Sequence, residues 1–337
     1  MAATTSVTLP ESVLAQYARF SLYNSPYPAH DAGCAIDLYP EPPRDGRTTI
    51  APSPVSGTVR ETRTVRAPQQ PYAVEHDHLV LIDCDGPADC AGLTARLLHV
   101  DPTVAAGDRV DRGDSLGELV RAGFFAPWVD NHLHVGFRDP EQNLYRASGS
   151  LPLELGVDPK PLDWDGTGTV VATGDTYAIL DAPAHPNPGS GAEFVGVRAD
   201  TGGPTSVSRS SSERHSGRGV LDGGLPHYDG GGLLASSGSV SRSGPGSGSG
   251  AETGASAGAG SAAAELVSLN GDRLGVRSAD DGRSITWDDV AVTANGESIT
   301  GLSLFCARDS DFGVKLICPD RSFETGDAVQ VRVRPER

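Results

Sequence analysis

His132 and His134, in Asn131-His-Leu-His-Val-Gly-Phe137, are two imidazoles at i and i+2 within an apolar run. Strand side chains alternate faces, so both rings stand on one face while Leu133 and Val135 take the other. A neutral imidazole binds a metal, and its neighbour is near enough to move a proton for what the metal holds. Upstream, His30-Asp-Ala-Gly-Cys-Ala-Ile-Asp37 adds a histidine and a carboxylate. Asp37 lies between Ile36 and Leu38 in a strand-like stretch, where a carboxylate is costly unless a cation or donors meet it. Two neutral imidazoles and one carboxylate suit a zinc site with its fourth position open. Singly, His30 reads as a surface-turn residue, Asp37 as bonded to backbone, and the His-x-His pair as a polar strand face. Together they read as a metal set.

The elements that must carry this set are short strands. His99 ends Leu93-Thr-Ala-Arg-Leu-Leu-His99, and Val104–Gly117 follows as two strands around Gly-Asp turns. Ile50–Val59 reads as strand, Ser-Gly turn, strand. In this order the segments resemble the lysostaphin-type (LytM-like) zinc metallopeptidases with the duplicated-hybrid-motif fold. The family pattern appears here as His30…Asp37, Gly57-Thr-Val59, Ala95-Arg-Leu-Leu-His99, Gly107-Asp-Arg-Val-Asp-Arg-Gly-Asp-Ser-Leu-Gly117 and His132-Leu-His134.

The resemblance spans roughly the first half of the chain. It implies zinc (Zn2+) held by His30, Asp37 and His134, with His99 and His132 as catalytic residues flanking the attacking water and the scissile carbonyl. It also implies hydrolysis of peptide bonds, often glycine-containing. Three features depart from the family pattern. Six residues separate His30 from Asp37, where the usual motif has three. Bulky Phe124, Phe125 and Trp128 replace a small, Gly-rich approach to the His-x-His strand. The acidic residue that commonly follows that strand is absent. These changes bear on the substrate groove and leave the metal set intact, so a different substrate or a retired enzyme is expected. Carrier domains of the biotin/lipoyl kind resemble the same hybrid of short strands but need a lysine at a hairpin tip, and neither lysine here meets that requirement.

Formal charge is −17, and only Lys160 and Lys315 are lysines among 27 basic residues. So acidic and lysine-poor a composition resembles haloarchaeal proteins, whose carboxylates hold hydration and counter-ions. A negative field disfavours nucleic acid as a partner. No run of ~18 apolar residues suggests a membrane span, and the first ten residues lack the marks of a secretory signal. A cytoplasmic setting follows. The five cysteines, Cys34, Cys84, Cys90, Cys306 and Cys318, lie at no metal spacing and are expected to be free thiols. Cys84 and Cys90 flank one turn and are near enough in sequence to face each other; Cys34, inside the His30–Asp37 loop, is the alternative thiol ligand.

The expected fold is all-β: a small, mostly antiparallel metallopeptidase-like domain over residues 1–158, then a second small β domain. The second domain starts at 159–200, is interrupted by a disordered Ser/Gly/Ala-rich linker over 201–263, and resumes at 264–337. Within the linker, Val220–Leu234 carries enough apolar residues to dock on a neighbour. His76 and His78 read as a solvated strand face, and His185, His215 and His227 as solvent-exposed loop residues. The function expected is a zinc-dependent metalloendopeptidase acting on a peptide or protein, with a catalytically retired binding or regulatory scaffold as the alternative.

Overall fold

The computed structural model describes residues 6–40, 50–188, 193–202, 217–235, 264–308 and 312–336. The fold is all-β, 51 % strand and 4 % helix, so side chains are displayed with a two-residue period almost throughout. The N-terminal half is built on one antiparallel sheet. Its strands run in the order Tyr17–Ser21, Ile36–Pro40, Leu133–Arg138, Thr94–Leu98, His76–Gly86, Ser56–Arg66 and Arg109–Val110. A three-stranded sheet of Ile50–Pro52, Ser115–Leu119 and Val100–Pro102 lies beside it.

Register decides what the main sheet presents. Asp37 pairs with His134, His134 with Leu98, and Leu98 with Leu79. Directly paired residues point to the same face, so this row sets a carboxylate, an imidazole and two leucines side by side. The alternate residues Ile36, Leu38, Leu133, Val135, Ala95, Leu97, Val80 and Ile82 point the other way and form the buried core. A one-residue slip would exchange the two faces, and burial of the second set fixes the register.

In the C-terminal half, six strands close on themselves. Val195–Gly202 pairs with Arg218–Leu225, which pairs with Gly230–Ala235. Ser284–Trp287, Asp272–Arg277 and Glu265–Leu269 follow, the last returning to Val195–Gly202. Closure removes the free edges of this small barrel. The barrel has its own core around Leu221, Leu225, Leu274 and Leu302.

Residues 217–235 are therefore not linker, which corrects the expectation of disorder across 201–263. They form a hairpin of the barrel, and its glycines are what allow the packing. A Cβ on Gly231 would strike the Trp287 ring, and one on Gly232 the Tyr23 ring. Composition rich in glycine here marks close approach of ring to backbone. Gly202 ends a barrel strand, and the remainder of the expected linker, 203–216 and 236–263 with His215, lies outside the described residues.

The two halves share interior. Cys306–Ala307 bridges Tyr17–Ser21 of the first sheet and Val195 of the second. Phe194, Val220, Leu234 and Cys306 are buried in the N-terminal core, with Phe194 edge-on to Phe20 at 4.8 Å. Burial of one such Phe stabilises by about 1.5–3 kcal/mol relative to exposure, so the C-terminal half contributes to the site-bearing half. All five cysteines are free; Cys34 is half-buried and the other four are buried. Among the described residues, no helix is long and apolar enough to cross a membrane.

Candidate metal centre

His30 sits on a single helical turn, Pro28–Asp31, opened by Pro28 at its first position. The turn closes at Gly33, whose φ of 61° is the left-handed conformation glycine adopts at helix ends. Gly33 N–H donates to His30 O and Cys34 N–H to Ala29 O. The chain then enters the Ile36–Pro40 strand, and this helical turn absorbs the extra residues between His30 and Asp37. Cys34 Sγ turns instead to the Ala32 carbonyl at 3.4 Å.

His30, Asp37 and His134 converge. His30 Nε2 lies 3.1 Å from His134 Nδ1, His134 Nδ1 3.0 Å from Asp37 Oδ1, and His30 Nε2 3.4 Å from Asp37 Oδ1. His30 Nδ1–H donates to the Leu22 carbonyl at 2.6 Å, which aims Nε2 at the cluster. Backbone capture of one ring nitrogen is the usual way a ligating imidazole is oriented. All three side chains are buried or nearly so. The donor set is two imidazole nitrogens and one carboxylate oxygen, which fits zinc.

The electrostatics describe a site with an anion at its centre. Burial alone would raise the Asp37 pKa, yet the adjoining His132 and His30 and the hydrogen bonds from His134 and His30 hold it well below the ordinary value. Burial pushes His134 and His132 down to about 4, so both rings are neutral near pH 7. For His30, burial works downward as well, but the Asp37 charge, its hydrogen bond and the Leu22 carbonyl outweigh it and raise the pKa.

His132 and His99 stand at the edge of this cluster. His132 Nδ1–H donates to Asp130 O at 2.9 Å, and its Nε2 lies 3.4 Å from Asp37 Oδ1. The His99 ring centroid is 5.2 Å from that of His132 and 5.9 Å from that of His134. His99 has a φ of 72°, a left-handed conformation rare for a side chain of this size. That twist breaks the strand alternation, so Leu98 and His99, adjacent in sequence, both line the groove. Asp77 secures it: its carboxylate accepts from His99 N–H at 3.0 Å and from His99 Nδ1–H at 2.6 Å. Asp77 is buried on the site face of its strand, in line with Leu79, while its neighbours His76 and His78 are exposed and half-buried. Alternation in His76-Asp-His78 was the available signal for it, obscured by the two histidines beside it.

The C-terminal half braces the site from two sides. Asp222, on the barrel strand Arg218–Leu225, accepts from Leu22 N–H at 2.7 Å, Tyr23 N–H at 3.3 Å and the Ser21 hydroxyl. It fixes the peptide whose carbonyl orients His30. Burial raises the Asp222 pKa to about 6 despite those three donors. Lys315, also buried, donates to Asp130 Oδ2 at 3.1 Å, and Asp130 O orients His132. Two further expectations are corrected. His185 is buried, its Nε2 3.0 Å from Glu193 O. His227 packs against Trp128 and Tyr228 with both ring nitrogens buried, and burial lowers its pKa to about 4 against the opposing pull of the Leu225 backbone.

A groove of about 250 Å³ opens onto the cluster. Phe124, Phe125, Leu79, Leu98 and Val65 form much of its wall, with His99, His132 and His134 at the inner end. Phe125 stacks on His132 at 4.4 Å and meets His99 edge-on at 4.6 Å. Phe124 and Phe125 thus shape the approach to the histidines, while Trp128 packs on His227.

Two family models cover this architecture half by half. The domain of unknown function DUF8155, N-terminal domain, matches residues 8–155, and its C-terminal domain matches residues 160–334. The chain belongs to the DUF8155 family. No curated protein matches it. Within this DUF8155 protein, the N-terminal domain holds the converging His/Asp/His set and the C-terminal domain supplies Asp222 and Lys315.

Proposed function

We propose that this DUF8155 protein is a zinc-dependent peptidase of lysostaphin type, acting on a peptide or protein substrate. The observation that carries the proposal is the convergence of His30 Nε2, Asp37 Oδ1 and His134 Nδ1 within 3.4 Å of one another at the head of a groove. These three residues would hold the metal. Bound zinc supplies a Lewis acid that polarises a scissile carbonyl and lets water lose a proton near neutral pH. His132 and His99 each commit Nδ1–H to a fixed acceptor, which leaves Nε2 free to take a proton and return it to the leaving nitrogen. The Asp77 carboxylate fixes the His99 tautomer and ring orientation, the orienting role a carboxylate plays behind a catalytic histidine. The apolar wall at Leu79, Leu98 and Phe124 keeps competing water from the reacting groups. Five free thiols support a reducing, cytoplasmic setting.

Phe125 stacked on His132 favours a second reading, a retired peptidase-like binding scaffold, because the ring narrows the approach to a proposed base. Zinc-loaded protein assayed at high salt on a glycine-rich peptide panel separates the two. Cleavage lost in His132→Ala, with zinc content retained, supports the peptidase. Absence of cleavage by fully loaded wild type supports the scaffold.

A further inference from the structure

Arg96 is 4 % exposed and belongs to the groove wall. It points to the same face as Leu98, two residues on, and the row of Leu98 contains His134. By strand geometry its Cα lies about 8 Å from that of His134, from ~6.8 Å along one strand and ~4.8 Å across to the next. Arg96 Nε donates to Leu144 O at 2.6 Å, which anchors the side chain beneath the 139–150 segment. Its terminal nitrogens have no hydrogen-bond or carboxylate partner among the described residues. Neighbouring Arg138, by contrast, spends its terminal nitrogens on the carbonyls of Asn143, Arg146 and Ser148.

This is an anomaly of chemistry and of charge. Acidic residues outnumber basic ones 44 to 27, yet this guanidinium, on a nearly buried side chain whose end reaches the groove, has no acid beside it. Among the described lining residues it is the one lysine or arginine in the groove. Buried guanidinium groups are ordinarily paired, and a planar fork of donors matches a carboxylate. A chain of net negative charge repels anionic ligands at long range, so a site that takes one needs a local cation.

We propose that Arg96 receives a carboxylate of the substrate, placed about two residues beyond the bond to be cut. The offset follows from the ~8 Å between Arg96 and His134 and the ~3.3–3.6 Å that an extended peptide advances per residue. Leu98 adjoins both, and Leu79 and Val65 continue the apolar wall on the next two strands, so the wall accepts an apolar side chain. The carboxylate is either the substrate's C-terminus or an Asp/Glu side chain, and the inference rests on the peptidase reading only for the position of the scissile bond.

Chelator-treated protein, which cannot turn over substrate through zinc, is titrated by calorimetry at high salt with three peptides. They are acetyl-Gly-Gly-Gly-Leu-Gly as the free acid, the same peptide as its C-terminal amide, and the amide with its last glycine replaced by glutamate. The free acid should bind about tenfold or more tightly than the amide, the discrimination expected of a charged hydrogen bond. That preference should vanish in Arg96→Gln and survive in part in Arg96→Lys. Glutamate restoring affinity to the amide identifies a side-chain carboxylate; failure to restore it identifies the terminal one. Equal binding of acid and amide by wild type, which needs no variant to fold, overturns the proposal. So does a preference that persists in folded Arg96→Gln. The peptidase reading fails separately: Arg96-dependent binding in a protein that takes up no zinc leaves the carboxylate site and removes the peptidase. Zinc-dependent cleavage indifferent to the carboxylate does the reverse.

Discussion

Asp222 is 200 residues from Leu22 in sequence, yet it holds the peptide that orients His30. Asp222→Ala strips the acceptor from two buried N–H groups, those of Leu22 and Tyr23. Each unsatisfied buried group costs about 1–3 kcal/mol, so the loss is about 2–6 kcal/mol from these two alone. Against it stands the cost of ionising Asp222. Its pKa is raised from 3.8 to about 6, so at neutral pH the charged form costs about 3 kcal/mol relative to the unfolded chain. A raised carboxyl pKa means the folded state binds more protons, so this cost is absent below about pH 4 and complete above pH 6. Asp222→Asn keeps an acceptor for the two N–H groups and removes the charge. It should match or exceed wild-type stability above pH 6, with the advantage shrinking toward pH 4. Denaturant unfolding at pH 4, 5, 6 and 7 reads both effects, and zinc titration against a competing chelator reads the site. Asp222→Ala should lose about 10–100-fold in zinc affinity, the usual effect of removing an outer support of a ligand, while Asp222→Asn stays near wild type. A folded Asp222→Ala protein with wild-type zinc affinity would refute the link from Asp222 through Leu22 to His30.

The remaining expectations address other groups. His227 has its pKa lowered by burial to about 4, so the folded state resists protonation and stability is lost as pH falls from 6.5 toward 4. The effect is at most about 3 kcal/mol, and His227→Phe should flatten that part of the stability profile if its bulk is tolerated; an unchanged slope in a folded variant contradicts the assignment. His99→Ala and His132→Ala should each leave zinc content near one per chain while lowering peptide cleavage by about 10²–10⁴, and cleavage equal to wild type would make both histidines structural. Lys315→Met should destabilise by about 1–3 kcal/mol by removing a charged donor from Asp130 and should slow cleavage more than it reduces zinc content, since it acts on the segment that orients His132. Equal losses of both would show a general loosening instead.

Much of the site-bearing face was legible because strand periodicity is local. The alternation of His132 and His134 against Leu133 and Val135, and the placement of Asp37 between Ile36 and Leu38, need only a two-residue period and a buried core. The turn at His30 was less legible, since six intervening residues fit either a loop or the helical turn that forms. His99 escaped the period altogether, because its left-handed backbone is imposed by Asp77 from another strand. Asp222 and Lys315 were not legible as parts of the site, since both act through pairings across a domain boundary. The hairpin at 217–235 was hidden by composition: glycine that usually signals disorder serves here to let Trp287 and Tyr23 lie against backbone. The metal itself is a matter of chemistry that periodicity does not reach.

Elemental analysis of protein purified at high salt therefore tests the central claim most directly. One zinc per chain is expected in wild type, falling to a small fraction in His134→Ala and in Asp37→Ala, each shown to be folded by circular dichroism. Stoichiometric zinc retained in both variants, or a folded wild type that takes up no zinc when it is supplied, would contradict the assignment of His30, Asp37 and His134 as the metal set.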